Sequence, residues 1–249
     1  MSWSKKDNFT LPTISHCHDL PQRGFAWGNL PVSILWYGEF SPAQKSIIAD
    51  FLLPLNPQKN QLGSHFTTPQ PSVSKWWHTI QTYMKKAGKG QTRVFIASQF
   101  SDKNCSLGKI LKKAQVFDLA NQRLNSNIPR GLRVLTLVLT AKDVAVEGFC
   151  MSNCGFHGSN PQHNSAFIWV GNSVTPCPGQ CAWPFHQPIY WTQTAPLGSP
   201  NGDVGVDGMI INIAGLFAGT VTNPFGKGYF VGSVEAPVEA ASACPGEYD

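Results

Sequence analysis

Apolar residues recur along this chain with two different spacings, which predict alternating strands and helices. A short apolar run from Pro31 to Tyr37 stops at Gly38 and is typical of a buried strand. Ser41 and Pro42 then supply a helix N-cap and a first-turn proline. The apolar residues that follow have helical spacing: Ile47, Ile48, Phe51, Leu52 and Leu55. The first ordered part of the chain is therefore predicted to be a strand followed by a helix.

The same alternation continues to residue 140. A second helix is predicted from Ser72, a short strand at 94–97 and a third helix at 107–124. The almost unbroken apolar run at 132–139 is typical of a strand that is buried on both faces. The order strand, helix, helix, strand, helix, strand predicts an α/β fold, a layered mixed sheet with flanking helices.

The pattern changes after residue 140. Cysteine, glycine, proline and tryptophan dominate residues 148–205, which predicts an irregular region interrupted by one strand at 165–170. A helix is predicted at 206–221, where Asn223 and Pro224 stop it, and a last strand at 228–231. We expect residues 1–28 to form an irregular N-terminal arm and residues 29–249 to form a single domain.

Composition narrows the class of protein. Of 249 residues 42% are hydrophobic and only 13% are charged, which is the balance of a folded chain with a substantial core. The net charge of +5 comes from scattered lysines, without the aromatic-interleaved basic stripe of a nucleic-acid binder. A weakly basic surface is compatible with an acidic polysaccharide. No apolar stretch approaches the roughly 18 residues of a membrane span, so none is expected.

Seven cysteines include two close pairs, Cys150 with Cys154 and Cys177 with Cys181. Their spacing suits disulfides that staple an irregular region, and also a structural zinc site or free thiols. The prolines and glycine around Cys177 and Cys181 favour disulfides over the other two. Many cysteines and few charges together predict an extracytoplasmic protein.

Two further features bear on location. Asn8 and Asn104 lie in N-x-Ser/Thr patterns for N-glycosylation, which also arise often by chance. The first residues contain no apolar run and do not form a recognisable signal peptide. Either the protein is cytosolic or the chain lacks its natural beginning, and we expect the second.

Candidate reactive residues give no strong catalytic pattern. His157, His163 and His186 are candidates for a metal site, although their spacing favours loop histidines with hydrogen-bond partners. Asp203 and Asp207 favour a turn and a helix N-terminus over a calcium loop, and they are also candidates for partner contact. The chain has neither a Gly-x-Ser-x-Gly elbow nor a phosphate-binding glycine loop. No enzyme activity and no cofactor are predicted.

The tryptophans divide into two groups. Trp36, Trp76 and Trp169 lie within apolar periodicity and are predicted in the core. Trp183 and Trp191 lie in loops beside prolines, where an aromatic ring either stacks on a sugar or packs on a proline or disulfide. These two are candidate partner-binding residues.

Several long motifs resemble the plant EXORDIUM, or phosphate-induced protein 1, family. The resemblance extends from about residue 29 to 248, and the motifs that carry it are at 34–41, 150–158, 168–173, 177–185, 200–209, 222–225 and 243–246. It implies a secreted protein of the cell wall or apoplast, linked to growth and cell expansion and to brassinosteroid or nutrient (phosphate) responses. It implies no established biochemical activity. Members of the family begin with a secretory signal and continue beyond residue 249, so the chain is expected to be truncated.

The family is also similar, more distantly, to zinc metallopeptidases whose active helix carries His-Glu-x-x-His. Aligned with that helix, the stretch at 206–221 places Gly215, Leu216 and Gly219 where the ligands and base would lie. None of these can bind zinc or act as a base. The similarity therefore implies a degenerate metallopeptidase-like scaffold.

Three hypotheses follow. The favoured one is a non-catalytic wall protein that binds a polysaccharide or a cell-surface protein. The alternatives are a cryptic metal-dependent hydrolase using His157, His163 or His186 with Asp203 or Asp207, and a carbohydrate-binding module using Trp183 or Trp191.

Overall fold

The computed structural model describes residues 28–56, 72–86, 90–122, 133–151, 153–188, 195–224, 230–231 and 238–239. The strands in these ranges are β1 (Gly28–Tyr37), β2 (Thr92–Asp102), β3 (Ile110–Leu111), β4 (Val134–Thr140), β5 (Ala145–Val146), β6 (Gly155–Asn160), β7 (Ser165–Gly171), β8 (Phe230–Val231) and β9 (Val238–Glu239). The helices are α1 (Pro42–Leu52), α2 (Val73–Lys86), α3 (Lys113–Gln122), α4 (Pro178–Cys181) and α5 (Val204–Thr222). Short 3-10 turns follow α1 and β6 at Leu53–Leu55 and Pro161–His163.

A five-stranded sheet forms the centre of the fold. Its strand order is β2-β1-β4-β7-β6, in which the first four strands are parallel and β6 is antiparallel to β7. Two small pairs, β3 with β5 and β8 with β9, lie outside it. The predicted mixed sheet with flanking helices is confirmed.

Helices cover both faces of the central strands. Every residue of β4 and β7 is buried, as are the last eight residues of β1. Helix α3 packs on one face, where the Phe117 and Phe167 rings meet edge to face at 5.8 Å. Helix α5 packs on the other, because Leu216 lies against Gly155, which is paired with Val170. Alternating side chains along β7 place Phe167 and Val170 on opposite faces.

Helix α1 begins as the sequence predicts. Ser41 accepts the backbone N–H of Gln44, and the Gln44 side chain accepts the backbone N–H of Ser41, which together form a capping box. Pro42 occupies the first turn. The Gln44 amide also donates to Asp203 at 2.9 Å and so joins the start of α1 to the start of α5.

The predicted helix at 107–124 begins later, at Lys113. The residues before it form a turn, in which Cys105 and Gly108 have positive φ angles of 52° and 84°, and then the short strand β3. The Tyr37 hydroxyl holds this turn, donating to the Gly108 carbonyl and accepting from Leu107 N–H. Burial raises the pKa of Tyr37, so the hydroxyl remains a donor at neutral pH.

Three further predictions differ from the strands of the structure. Strand β2 is longer than the predicted 94–97, because polar residues on both sides of that apolar run continue its alternation of more buried and more exposed positions over eleven residues. Strand β6 was not predicted, since Gly-Phe-His-Gly-Ser-Asn has no apolar alternation. Gly28, predicted to belong to the arm, begins β1, and the rest of the arm lies outside the described residues.

Helix α5 is more apolar than the sequence analysis allowed. Its 19 residues have a mean hydropathy of 1.6 in the best window, which meets the length and composition criterion for a membrane span. However, 61% of that window is buried, and the helix packs on β6 and β7. Length and composition alone are weak grounds for a span, and burial of this extent is typical of a core helix.

The expected similarity to a zinc-metallopeptidase scaffold is not supported. A catalytic zinc helix directs its ligands toward an open coordination site. In α5, Gly219 is buried, Leu216 is half-buried against Gly155 of β6, and Gly215 is exposed. The helix serves to cover the sheet, with Leu216 packed against it, and these three positions form no open site.

A glycine series tests the junction between β1 and β4. Gly38 has φ +94°, and a Cβ there would lie 2.7 Å from the Ala141 Cβ. Gly38→Ala is expected to lower the free energy of unfolding by about 3 kcal/mol, combining backbone strain and overpacking. Gly202→Ala adds only positive-φ strain and should cost about 1 kcal/mol, and Gly198→Ala adds neither. Urea denaturation that gives equal stabilities for all three variants would contradict this packing.

Candidate functional site

Two disulfides tie the irregular region together. Cys150 is bonded to Cys177 and Cys154 to Cys181, each pair 27 residues apart. The connection that precedes β6 is thereby fastened to α4, the short helix that follows β7. Closing one loop of this length stabilises a fold by about 3–4 kcal/mol in the chain-entropy model, and the second bond adds less. Of the alternatives that the sequence left open, the structure has the disulfides.

Helix α4 is in turn fixed to the side of α5. The Asn212 side chain donates to the Cys181 carbonyl at 2.9 Å and to the Gly208 carbonyl at 2.7 Å. A Cβ on Gly208 would lie 2.7 Å from the Cβ of Ala182, which is fully buried. This close contact requires glycine at 208. Together with the Asn212 hydrogen bonds, it fixes the disulfide-bonded helix α4 against α5.

Asp203 and Asp207 organise the N-terminus of α5. Asp203 is the N-cap and accepts the N–H of Val206 at 3.0 Å. Asp207 is 3% exposed and accepts from the Ser199 hydroxyl, from Asn201 N–H at 3.0 Å and from the Asn201 amide at 2.5 Å. Both carboxylates therefore hold the loop and helix in place, and Asp207 is too buried to meet a partner directly.

An apolar cleft opens beside α4 and α5. Its volume is about 450 Å³, and its lining is Trp183, Pro184, Phe185, Gln187, Ala195, Leu197 and Ile211. Leu197 N–H donates to the Pro184 carbonyl at 3.1 Å and so joins two stretches of the lining. The lining carries no charged side chain, and its polar side chain is the amide of Gln187. We call this the Trp183 cleft.

Three large side chains of the Trp183 cleft face solvent. Trp183 is 44% exposed, Leu197 62% and Ile211 39%. Apolar groups of this size are usually buried, so their grouping in a concave surface is typical of a binding site. Trp191, the other loop tryptophan singled out by sequence, lies outside the described residues.

The three candidate histidines occupy separate elements. His157 lies in β6, His163 ends the 3-10 turn after it, and His186 follows α4 with its Nδ1 3.0 Å from the Gln187 carbonyl. Within the described ranges, no three His, Cys, Asp or Glu side chains form a group that could hold a metal ion. The convergence that the hydrolase hypothesis needs is not found among these histidines.

The two glycosylation patterns lie in different parts of the chain. Asn104 is exposed in the turn after β2. Asn8 lies outside the described residues.

Sequence reasoning found Trp183 but missed most of the cleft around it. Ile211 lies off the apolar stripe of α5, so the helical period places it on the outer face, but the period does not show that it lines a cleft. Leu197 lies in a loop without periodicity. Three polar side chains fix the start of α5. Gln44 has its partner, Asp203, 159 residues away, whereas Ser199 and Asn201 bind Asp207 within the irregular stretch just before the helix, where no periodicity marks them.

Comparison with known proteins gives a consistent set of matches. A profile described as "Phosphate-induced protein 1 conserved region" matches residues 24–249. Protein EXORDIUM-like 2 of Arabidopsis thaliana is 51% identical over 225 residues, covering 88% of this chain and 70% of that protein. Protein PHOSPHATE-INDUCED 1 of Nicotiana tabacum and Protein EXORDIUM of Arabidopsis thaliana are each 46% identical over 230 residues, covering 89% of this chain and 70% of each protein. No solved structure matches.

Paired substitutions test the role of the two carboxylates. Asp207→Ala removes a buried carboxylate that accepts three hydrogen bonds from Ser199 and Asn201 and should lower the free energy of unfolding by about 3 kcal/mol. Asp203→Ala removes an N-cap and should cost about 1 kcal/mol. Chemical denaturation of both variants measures the difference. A loss at Asp207 no larger than that at Asp203 would show that the loop does not depend on the buried carboxylate.

Proposed function

We propose that this chain, which belongs to the phosphate-induced protein 1 (EXORDIUM) family, acts as a non-catalytic secreted protein of the plant cell wall. In this role it promotes growth and cell expansion in the response to brassinosteroid or nutrients such as phosphate. The names of its relatives fit a plant growth-related protein. The observation that carries the proposal is an exposed, uncharged aromatic cleft beside a region stapled by two disulfides.

Secretion is supported by the disulfides. Structural disulfides form and persist in oxidising compartments and are rare in the cytosol. Here Cys150–Cys177 and Cys154–Cys181 close loops that contain the β6 and β7 strand pair. These bonds are compatible with an extracellular protein, and the apoplast is the location we propose.

Binding without catalysis is supported by the chemistry of the Trp183 cleft. The seven lining residues offer apolar surface and one amide, Gln187, and none of them is an acid, a base or a nucleophile. The nearby carboxylate of Asp207 already accepts three hydrogen bonds within its own loop. Such a site can hold a partner by contact and orient it through the Gln187 amide and the Trp183 indole N–H.

A cell-wall polysaccharide is the partner that we propose first, and a cell-surface protein is the alternative. The face of an exposed tryptophan packs on the C–H face of a sugar ring, and an adjacent amide hydrogen-bonds its hydroxyls. Trp183 and Gln187 supply these two groups on the same cleft. In this proposal the wall protein acts by binding carbohydrate, which combines two of the three hypotheses from the sequence.

A tryptophan substitution tests this site. Trp183→Ala should weaken retention of the purified protein on isolated plant cell walls by about tenfold or more, the usual loss for a central aromatic anchor. Trp183→Phe keeps a ring and should retain part of the binding. Sedimentation of wall material with labelled protein gives the bound fraction.

Tyr83→Ala is the matched control, because Tyr83 is an aromatic residue that is 55% exposed on α2, away from the cleft lining. It should bind walls as the unsubstituted protein does. Equal wall retention of Trp183→Ala and the unsubstituted protein, with both folded, would remove the cleft from the proposed function.

A further inference from the structure

A tight turn follows β2 at the outer edge of the sheet. Cys105 N–H donates to the Asp102 carbonyl at 3.3 Å, and Gly108 N–H donates to the Cys105 carbonyl at 2.7 Å. The Asp102 carboxylate accepts the N–H of Ser106 at 3.0 Å and its hydroxyl at 2.5 Å. The turn is therefore fixed by these hydrogen bonds and by the Tyr37 hydroxyl, without help from the Asn104 side chain.

The side chain in the middle of the pattern is buried in the turn, and the two on either side of it are exposed. Cys105 has a φ of 52° and is 5% exposed, so its side chain lies inside the turn against the core. Asn104 and Ser106, on either side of it, are exposed. The Asn104 side chain makes no hydrogen bond to any other described residue. Its amide is available, and a bulky group attached to it would extend into solvent.

We propose that Asn104 carries an N-linked oligosaccharide, an inference that rests on the secretion part of the proposed function. Asn104-Cys105-Ser106 has the required N-x-Ser spacing. The sequence pattern alone arises often by chance. The structure adds an exposed acceptor at the end of the outermost strand, where an oligosaccharide displaces no packed side chain.

The modification is a group transfer from a lipid-pyrophosphate-linked oligosaccharide in the secretory pathway. The Asn104 amide nitrogen forms a bond to the anomeric carbon of the first sugar, while the bond from that carbon to the pyrophosphate oxygen breaks. The nitrogen loses one proton, and the lipid pyrophosphate leaves. No oxidant or reductant is needed.

The middle residue of the pattern does not compete with this chemistry in the folded protein. Burial raises the pKa of the Cys105 thiol, so the thiol stays protonated at neutral pH. It is also shielded from solvent. An oligosaccharide on Asn104 would cover the turn from outside and leave Cys105 in its buried position.

Peptide mapping of the full natural protein, secreted by plant cells, tests the assignment. Release of N-glycans by a peptide N-glycosidase active on plant glycans, in heavy-oxygen water, should leave a labelled aspartate at position 104. Asn104→Gln should lose one glycan step in gel mobility and keep its fold. Ser106→Thr should keep the glycan. Asn8→Gln distinguishes a glycan at Asn104 from one attached at the other pattern, because it removes only the latter.

Two negative outcomes are distinguishable. Secreted protein with the Cys150–Cys177 and Cys154–Cys181 bonds intact but unmodified at Asn104 would overturn this inference and leave the proposed function standing. Protein retained in the cytosol, with these cysteines reduced, would overturn the secretion on which both depend.

Discussion

The structure depends on covering both faces of strands β1, β4 and β7. These strands are apolar on each side, and such a strand is stable only between two layers of helices. Helix α3 supplies part of one layer, and α5 lies on the other face of β6 and β7. Burying a large aliphatic or aromatic side chain contributes about 1.5–3 kcal/mol, so the placement of α5 determines much of the stability of the sheet.

The placement of α5 is determined at two points. Asp203 and Asp207 fix its N-terminus, with Gln44 linking it to α1. Further along, Gly208 and Asn212 hold it against α4, which the disulfides fasten to the connection before β6. The Trp183 cleft lies between these same elements, so its shape follows from the disulfides and from the packing of α5. A binding surface on such a rigid support loses little entropy on binding.

Sequence predicted those parts of the molecule that short-range periodicity specifies. The runs that form β1, β4, β7 and α5 were found because a buried element repeats its apolar residues at a fixed spacing. The start of α3 was wrong because the turn at Cys105 and Gly108 depends on a distant hydroxyl, Tyr37. The cysteine pairing and the place of Ile211 in the cleft arise only when separate segments pack together. The sequence therefore predicts one residue of the cleft, Trp183, but not the shape of the cleft.

The most direct test of the account is wall retention of the protein before and after reduction and alkylation of its disulfides. We predict that reduction lowers wall retention to the level of Trp183→Ala, under conditions that leave the circular-dichroism signal of the sheet and helices intact. The reason is that α4 and the residues after it then lose their covalent links to the connection before β6 and are held only by their contacts with α5. Wall retention that is unchanged in the folded, fully reduced and alkylated protein would contradict the claim that the stapled cleft is the binding site.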